Sequence, residues 1–406
     1  MFAVILYILF FGTWFSFNKK RYGYNASTLL IGLYFISVIA HFYLDWVKYN
    51  NMYSFDKVYI DAVVYHIITL FLFMSPIVYH GNRFQLNKFQ ISERLFKQVS
   101  VILIAIGAST IILSIAGIKS VLSFDTFEGA REAAIWGDET KGFYSYGLIG
   151  YFATIGMITP IFAIFMSFYR LFIARKSDVF FYMLMLTSIS GAVMNLTIAG
   201  RDGIMRWLLF LVFNVAFFKD YFSFKLIPKF FKVSFIALLS ATVFFFVIIT
   251  LSRFGEGSDS LLSIVDYLGM STFWFSDVYR GVGTNYLFGF SSIFPFFPGG
   301  TNSLDIAKMN LNFSTSSFHT FVGSFVLNVG TICTILMAII FFIIYRMSII
   351  KVNNRLHNYF SYMIFYQIVY IGVFYFVYAL LAWQCSFIII YLLSRRVYFA
   401  NRMIKK

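Results

Sequence analysis

Charge is what this sequence lacks most. Only 12% of its 406 residues are Asp, Glu, Lys or Arg, against roughly a quarter in a soluble globular domain. With 60% apolar residues, a water-soluble fold is excluded. The aromatic share of 22%, with 55 Phe and 28 Tyr, exceeds what a soluble core could bury without exposing large apolar patches. Part of that excess follows the A/T-rich codons shared by Phe, Tyr, Ile, Asn and Lys, so the Phe count carries no functional weight. Cysteine is nearly missing. Cys333 and Cys385 both sit in apolar runs, with no CxxC and no His/Cys ligand spacing, which excludes a disulfide framework and a zinc site. Phosphate-loop, dinucleotide, zincin, nucleophile-elbow and Asp-x-Asp patterns are also missing, which argues against chemistry driven by ATP or nucleotide sugars.

What is present is a series of long apolar runs. A helix needs about 20 residues to cross the hydrocarbon of a bilayer, and runs of that order fall near 2–17, 27–44, 58–80, 99–118, 147–168, 179–198, 204–218, 233–251, 321–345 and 359–394. At about 1.5 Å per residue the last would make a helix near 54 Å, too long for tilt to absorb. It splits into 359–376 and 378–394. The expectation is an all-α polytopic integral membrane protein forming a single membrane domain over 1–406, with about 11 transmembrane helices.

Strict alternation of loops then tests the orientation. One set, carrying Lys19, Lys20, Arg21, Arg83, Arg170, Lys219, Arg346 and the basic tail 395–406, holds 22 of the 32 basic residues and only Glu93, Asp178 and Asp220 among the 17 acids. The two faces total +19 and −4, which accounts for the net charge of +15. The basic excess is thus a topology signal rather than a polyanion site, and no nucleic-acid partner is implied. The N-terminus is expected outside and the C-terminal tail in the cytoplasm. The first span, followed by Lys19-Lys20-Arg21 and lacking a small-residue cleavage site, does not read as a signal peptide.

Inside loops are short, whereas two outer segments, 119–146 and 252–320, are long. Long loops in compact proteins are usually functional. The larger one carries aromatic stretches beginning at Asp266 and Phe288, expected as short amphipathic helices on the membrane surface. Ionisable groups near span ends are few: Asp61, His66 and Arg206. Asp61 reads as a helix-start or snorkelling residue.

Three constellations could carry chemistry. The first is Ala199-Gly200-Arg201-Asp202-Gly203, a tight turn before a span. Helix N–H groups and the positive dipole end would face the outer interface there, with Gly200 and Gly203 admitting a ligand and Arg201 offering a fork for phosphate. Arg201 could equally cap the preceding helix, and Arg206, four residues after Asp202, has the spacing of a helical ion pair. The second is the set of loop arginines, Arg131, Arg253 and Arg280, with Trp274 and Tyr279 near the last. Each could be a solvated charge, and acids around Arg131 could pair with it. The third is Ser316-Ser-Phe-His-Thr-Phe before a span containing Gly323 and Gly330. His319 is the natural proton acceptor there, although a boundary histidine can also be structural.

Taken in order, these stretches resemble the Wzy-type O-antigen and capsular polysaccharide polymerases, repeat-unit polymerases related to the O-antigen ligases of GT-C-like fold. Ile198-Ala-Gly-Arg-Asp-Gly-Ile, Arg131 with Gly142-Phe-Tyr-Ser-Tyr-Gly-Leu, and Phe318-His-Thr-Phe with Gly330 carry the resemblance. Thr320 stands where many members have Asn. The resemblance implies a metal-independent glycosyltransferase of the bacterial cytoplasmic membrane, without cofactor. It would use undecaprenyl-pyrophosphate-linked oligosaccharides as donor and acceptor on the outer face. Arg201, Arg280 and Arg131 would clamp the diphosphate, and His319 would be the base. Arg253 would contact the substrate, and Trp274, Tyr279 and Tyr286 could stack on sugar rings or equally pack against the membrane surface. Partners would be membrane lipids and the pathway's chain-length regulator and flippase. The alternatives are a lipid-linked oligosaccharide flippase or other transporter, and an O-antigen ligase.

Overall fold

The computed structural model describes residues 1–49, 53–84, 86, 89–121, 155–197, 200, 202–229, 232–233, 240, 260–283, 289–294, 319–349, 356–376 and 383–392. Among them the fold is helical, with a lone β-bridge between Thr320 and Tyr375. Six helical stretches are long and apolar enough to cross a membrane. They are α1 (Phe2–Tyr22), α2 (Ala26–Val47), α3 (Ile60–Gly81), α4 (Glu93–Val121), the pair α6 (Val179–Thr187) and α7 (Ser190–Leu196), and α10 (Thr320–Ile344). Shorter helices are α5 (Pro160–Phe168), α8 (Asp202–Phe217) and α11 (Leu356–Ile371).

The described residues therefore carry six of the about eleven expected spans. The expected span 233–251 lies almost wholly outside them, as do residues 122–154 and the tail 395–406. At 16 residues each, α8 and α11 fall short of the bilayer thickness. The long apolar run near the C-terminus does break: α11 ends at Ile371 and a separate helix covers Trp383–Leu392.

The chain divides into two compact units, Met1–Lys88 with Leu261–Gln384, and Phe89–Ser260 with Cys385–Lys406. In the first, side chains tie the helix ends together in two sets. At one end Asn82 bridges α1 and α2, donating to Asn18 at 2.7 Å and accepting from Asn25 at 2.9 Å. Asn25 also caps α2 by accepting from the Thr28 N–H, one of the orphan donors of a helix start. His80 of α3 meets the Tyr345 hydroxyl at 2.9 Å. This end carries Lys19, Lys20, Arg21, Arg83 and Arg346 and no acid among the described residues.

At the other end lies α9 (Ser260–Val282), the helix formed by the front of the long loop. It is one 23-residue helix packed on α2 and α3 rather than a set of short surface helices. Ser37 donates to the Leu268 carbonyl at 2.7 Å, Tyr53 donates to Asp266, and the Tyr59 N–H donates to Ser276 at 3.1 Å. Gly269 permits the contact, since a Cβ there would stand 2.7 Å from the His41 backbone nitrogen. Small residues at such crossings let helices close without a hydrophobic drive from water. Asp45, Asp56, Asp61, Asp266 and Asp277 gather at this end with Lys48, Lys57 and Arg280. Burial raises the Asp266 carboxyl above its usual range, partly offset by the Tyr53 hydrogen bond.

In the second unit Arg170 is buried where α5 passes into a π-turn (Tyr169–Ile173). Its guanidinium donates twice to Glu93, at 2.8 and 2.9 Å, and to Asp178 at 3.0 Å. It also lies over the Phe96 ring. Glu93 and Asp178 are thereby both paired with one guanidinium, and Arg170 holds the Asp178 carboxyl below its ordinary value.

Candidate functional site

His319 precedes α10 with φ −149° and ψ 31°, and Thr320 follows at φ 58°. A left-handed β-branched residue is an outlier that surrounding structure must hold in place, and the contacts that do so are present. The Thr320 N–H donates to the Phe374 carbonyl at 2.9 Å and the Phe321 N–H to Gly372 at 2.7 Å. The Thr320 hydroxyl oxygen accepts from the Gly323 N–H at 3.3 Å and lies 2.9 Å from His66 Nε2. His66 Nδ1 is 2.5 Å from the Tyr7 hydroxyl. Buried His66 thus has both ring nitrogens engaged.

His319 is the opposite case. It is 4% exposed, and neither Nδ1 nor Nε2 has a hydrogen-bond partner among the described residues. Its imidazole rests on Gly323, where a Cβ would come within 2.9 Å of His319 Cβ and 3.3 Å of Phe275. Phe275 stacks face to face on His66 at 3.8 Å. Burial lowers the His319 pKa to about 4, so the ring is neutral at physiological pH. A neutral, water-shielded imidazole with an open lone pair can accept a proton.

Arg280 lies on α9 and pairs with Asp61 at 2.8 Å, its guanidinium 4.5 Å from the centre of the Tyr59 ring. Both partners are about half exposed, so the pair contributes little to stability. Asp61 is in the first turn of α3, as its sequence position suggests. Tyr279 packs on Tyr65 at 5.0 Å and Trp274 edge-on against Phe273 at 5.2 Å. Arg131, Arg201, Arg253 and Tyr286 lie outside the described residues.

Gly200 and Gly203 belong to the other unit. The Gly200 N–H donates to the Asn195 carbonyl at 2.9 Å. A Cβ on Gly203 would stand 2.6 Å from Asn195 and from the Gly191 carbonyl, so its missing side chain serves α7–α8 packing. Arg206 pairs with Asp202, the ion pair that their spacing suggests.

Two features go beyond what the sequence shows, although it singles out Gly330. Inside α10, Gly330 has φ 79° and ψ 170° and splits the helix. The groups around the break are taken up by the stretch of the long loop that follows α9 and by α3. The Gly289 N–H donates to Asn328 at 2.7 Å, the Thr331 N–H to Gly283 at 3.3 Å, and Tyr65 to the Thr331 carbonyl at 2.6 Å. Along both halves of α10 lies a cavity of about 320 Å³, lined by apolar side chains including Phe73, Phe321, Phe325, Phe341, Phe365 and Val369. Among the described residues no three His, Cys, Asp or Glu side chains gather in a way that would hold a metal ion. No known protein family, curated protein or solved structure matches the chain.

Proposed function

We propose that this membrane protein polymerises undecaprenyl-pyrophosphate-linked oligosaccharides by glycosyl transfer on the outer face of the bacterial cytoplasmic membrane. The single observation that carries the reading is buried His319, both ring nitrogens without partner among the described residues. The acceptor hydroxyl attacks the anomeric carbon, the bond from that carbon to the diphosphate oxygen breaks, and the hydroxyl proton passes to a His319 ring nitrogen. The departing diphosphate needs cations rather than a base. Arg201, Arg131 and Arg280 are the residues proposed to supply them, Arg280 by exchanging Asp61 for phosphate. The segregation of Lys19, Arg21, Arg83 and Arg346 from Asp56, Asp61 and Asp266 within one unit agrees with the His319 end lying outside. The apolar cavity beside Phe321, about 320 Å³, has room for a few isoprene units of such a chain.

One observation favours the second reading, a lipid-linked oligosaccharide transporter: a span interrupted mid-course, as α10 is at Gly330, is a common device of transporter sites. Deleting the gene and resolving the surface polysaccharide by electrophoresis separates the readings. Single-repeat products indicate the polymerase, loss of all product indicates the transporter, and lipid-linked polymer left untransferred indicates a ligase.

A further inference from the structure

We infer that the paired arginines at the basic end of the first unit form a binding site for the phosphate headgroup of an anionic phospholipid. Arg83 follows the C-terminus of α3 and Arg346 follows that of α10, and both guanidiniums lie over one ring, Tyr79, at 4.5 and 5.7 Å. Arg346 also lies 5.6 Å from the Phe342 ring. Neither arginine has a carboxylate partner among the described residues. This contrasts with Arg170, Arg206 and Arg280, each of which has one.

Two cations brought to one ring repel each other, and an anion bound to both relieves that repulsion. Guanidiniums stacked on a ring keep their N–H edges free, and those edges match the oxygens of a phosphate. The surroundings say which phosphate. Ile343, Ile344 and Met347 next to Arg346 are exposed, at 48%, 54% and 73%, so apolar surface runs on from the cations. A soluble phosphate has nothing to place there, whereas an acyl chain does. Basic sites between spans are a recognised form of lipid headgroup binding.

The test is lipid selectivity of the full chain in phosphatidylcholine vesicles, read by electron spin resonance with trace spin-labelled phosphatidylglycerol or phosphatidylcholine. The parent should prefer the phosphatidylglycerol probe, and Arg83→Gln with Arg346→Gln should reduce that preference by about fivefold for each guanidinium removed. Should the double variant not fold, each single Gln variant should give its own fivefold loss. Preference that persists when millimolar inorganic phosphate is added supports the lipid as ligand. Its displacement by inorganic phosphate, its absence in the parent, or an unchanged preference in the Gln variants would overturn the inference.

Discussion

Thr320 shows how much of the candidate site rests on single residues. Its backbone is left-handed and its hydroxyl satisfies both the Gly323 N–H and His66. Thr320→Val keeps the shape and removes the hydroxyl, so His66 Nε2 loses its partner. About 1–3 kcal/mol of stability should disappear, measurable by thermal unfolding in detergent. Thr320→Asn should be neutral or stabilising, because Asn enters the left-handed region with less strain and keeps an acceptor; a loss as large as that of Val would contradict this. His319 has a signature of its own. Its imidazole is held near 4 when folded and titrates near 6.5 when unfolded. The unfolded state therefore binds more protons between those values. Stability should be intact above about 6.5, fall as pH drops toward 4 by on the order of 3 kcal/mol, and level off below. His319→Gln should make that slope shallower by its own share. For turnover, kcat/KM should keep its acid limb near 4, and His319→Gln should lower kcat by roughly 10²–10⁴.

At the scale of helices, α10 and α8 are defined by glycines. Gly330 occupies a conformation open to little else, so Gly330→Ala should cost about 1–3 kcal/mol or prevent the break. In α8, Gly203→Ala forces a methyl against Asn195 and Gly191. Overpacking of that kind typically costs about 1–3 kcal/mol, and unchanged unfolding temperature would show that α7 and α8 pack less closely. Hydropathy read well what it measures: α1 to α4 and α10 fall where the apolar runs do, and Asp202 with Arg206 follows from helical spacing. It could not see the helix α9 within the long loop, whose Ser263, Thr272 and Ser276 are buried yet polar, because hydroxyls satisfied by neighbouring helices depress the signal. Nor could it see the Tyr7–His66–Thr320 chain, which joins residues 59 and 254 positions apart. His319 was visible as a boundary histidine and as part of the stretch that carries the resemblance, but its surroundings were not. That its ring nitrogens find no partner among the described residues is a property of packing.

At the scale of the whole molecule, charge placement fixes what can be tested first. The first unit separates its basic end from its acidic end, and the proposal requires them on opposite sides of the membrane. Single cysteines at Lys20 and Asp56, in a background lacking Cys333 and Cys385, should react with a membrane-impermeant maleimide from the inside and the outside respectively. The reverse pattern would put His319 in the cytosol and remove the outer-face mechanism. The most direct measurement of the central claim is extension in vitro. The purified chain in vesicles, supplied with undecaprenyl-pyrophosphate-linked repeat units and no divalent ion, should convert single units into a ladder of longer lipid-linked products. His319→Gln should leave the single units unextended. A ladder of equal length from that variant, or none from the parent under the same conditions, would contradict the account.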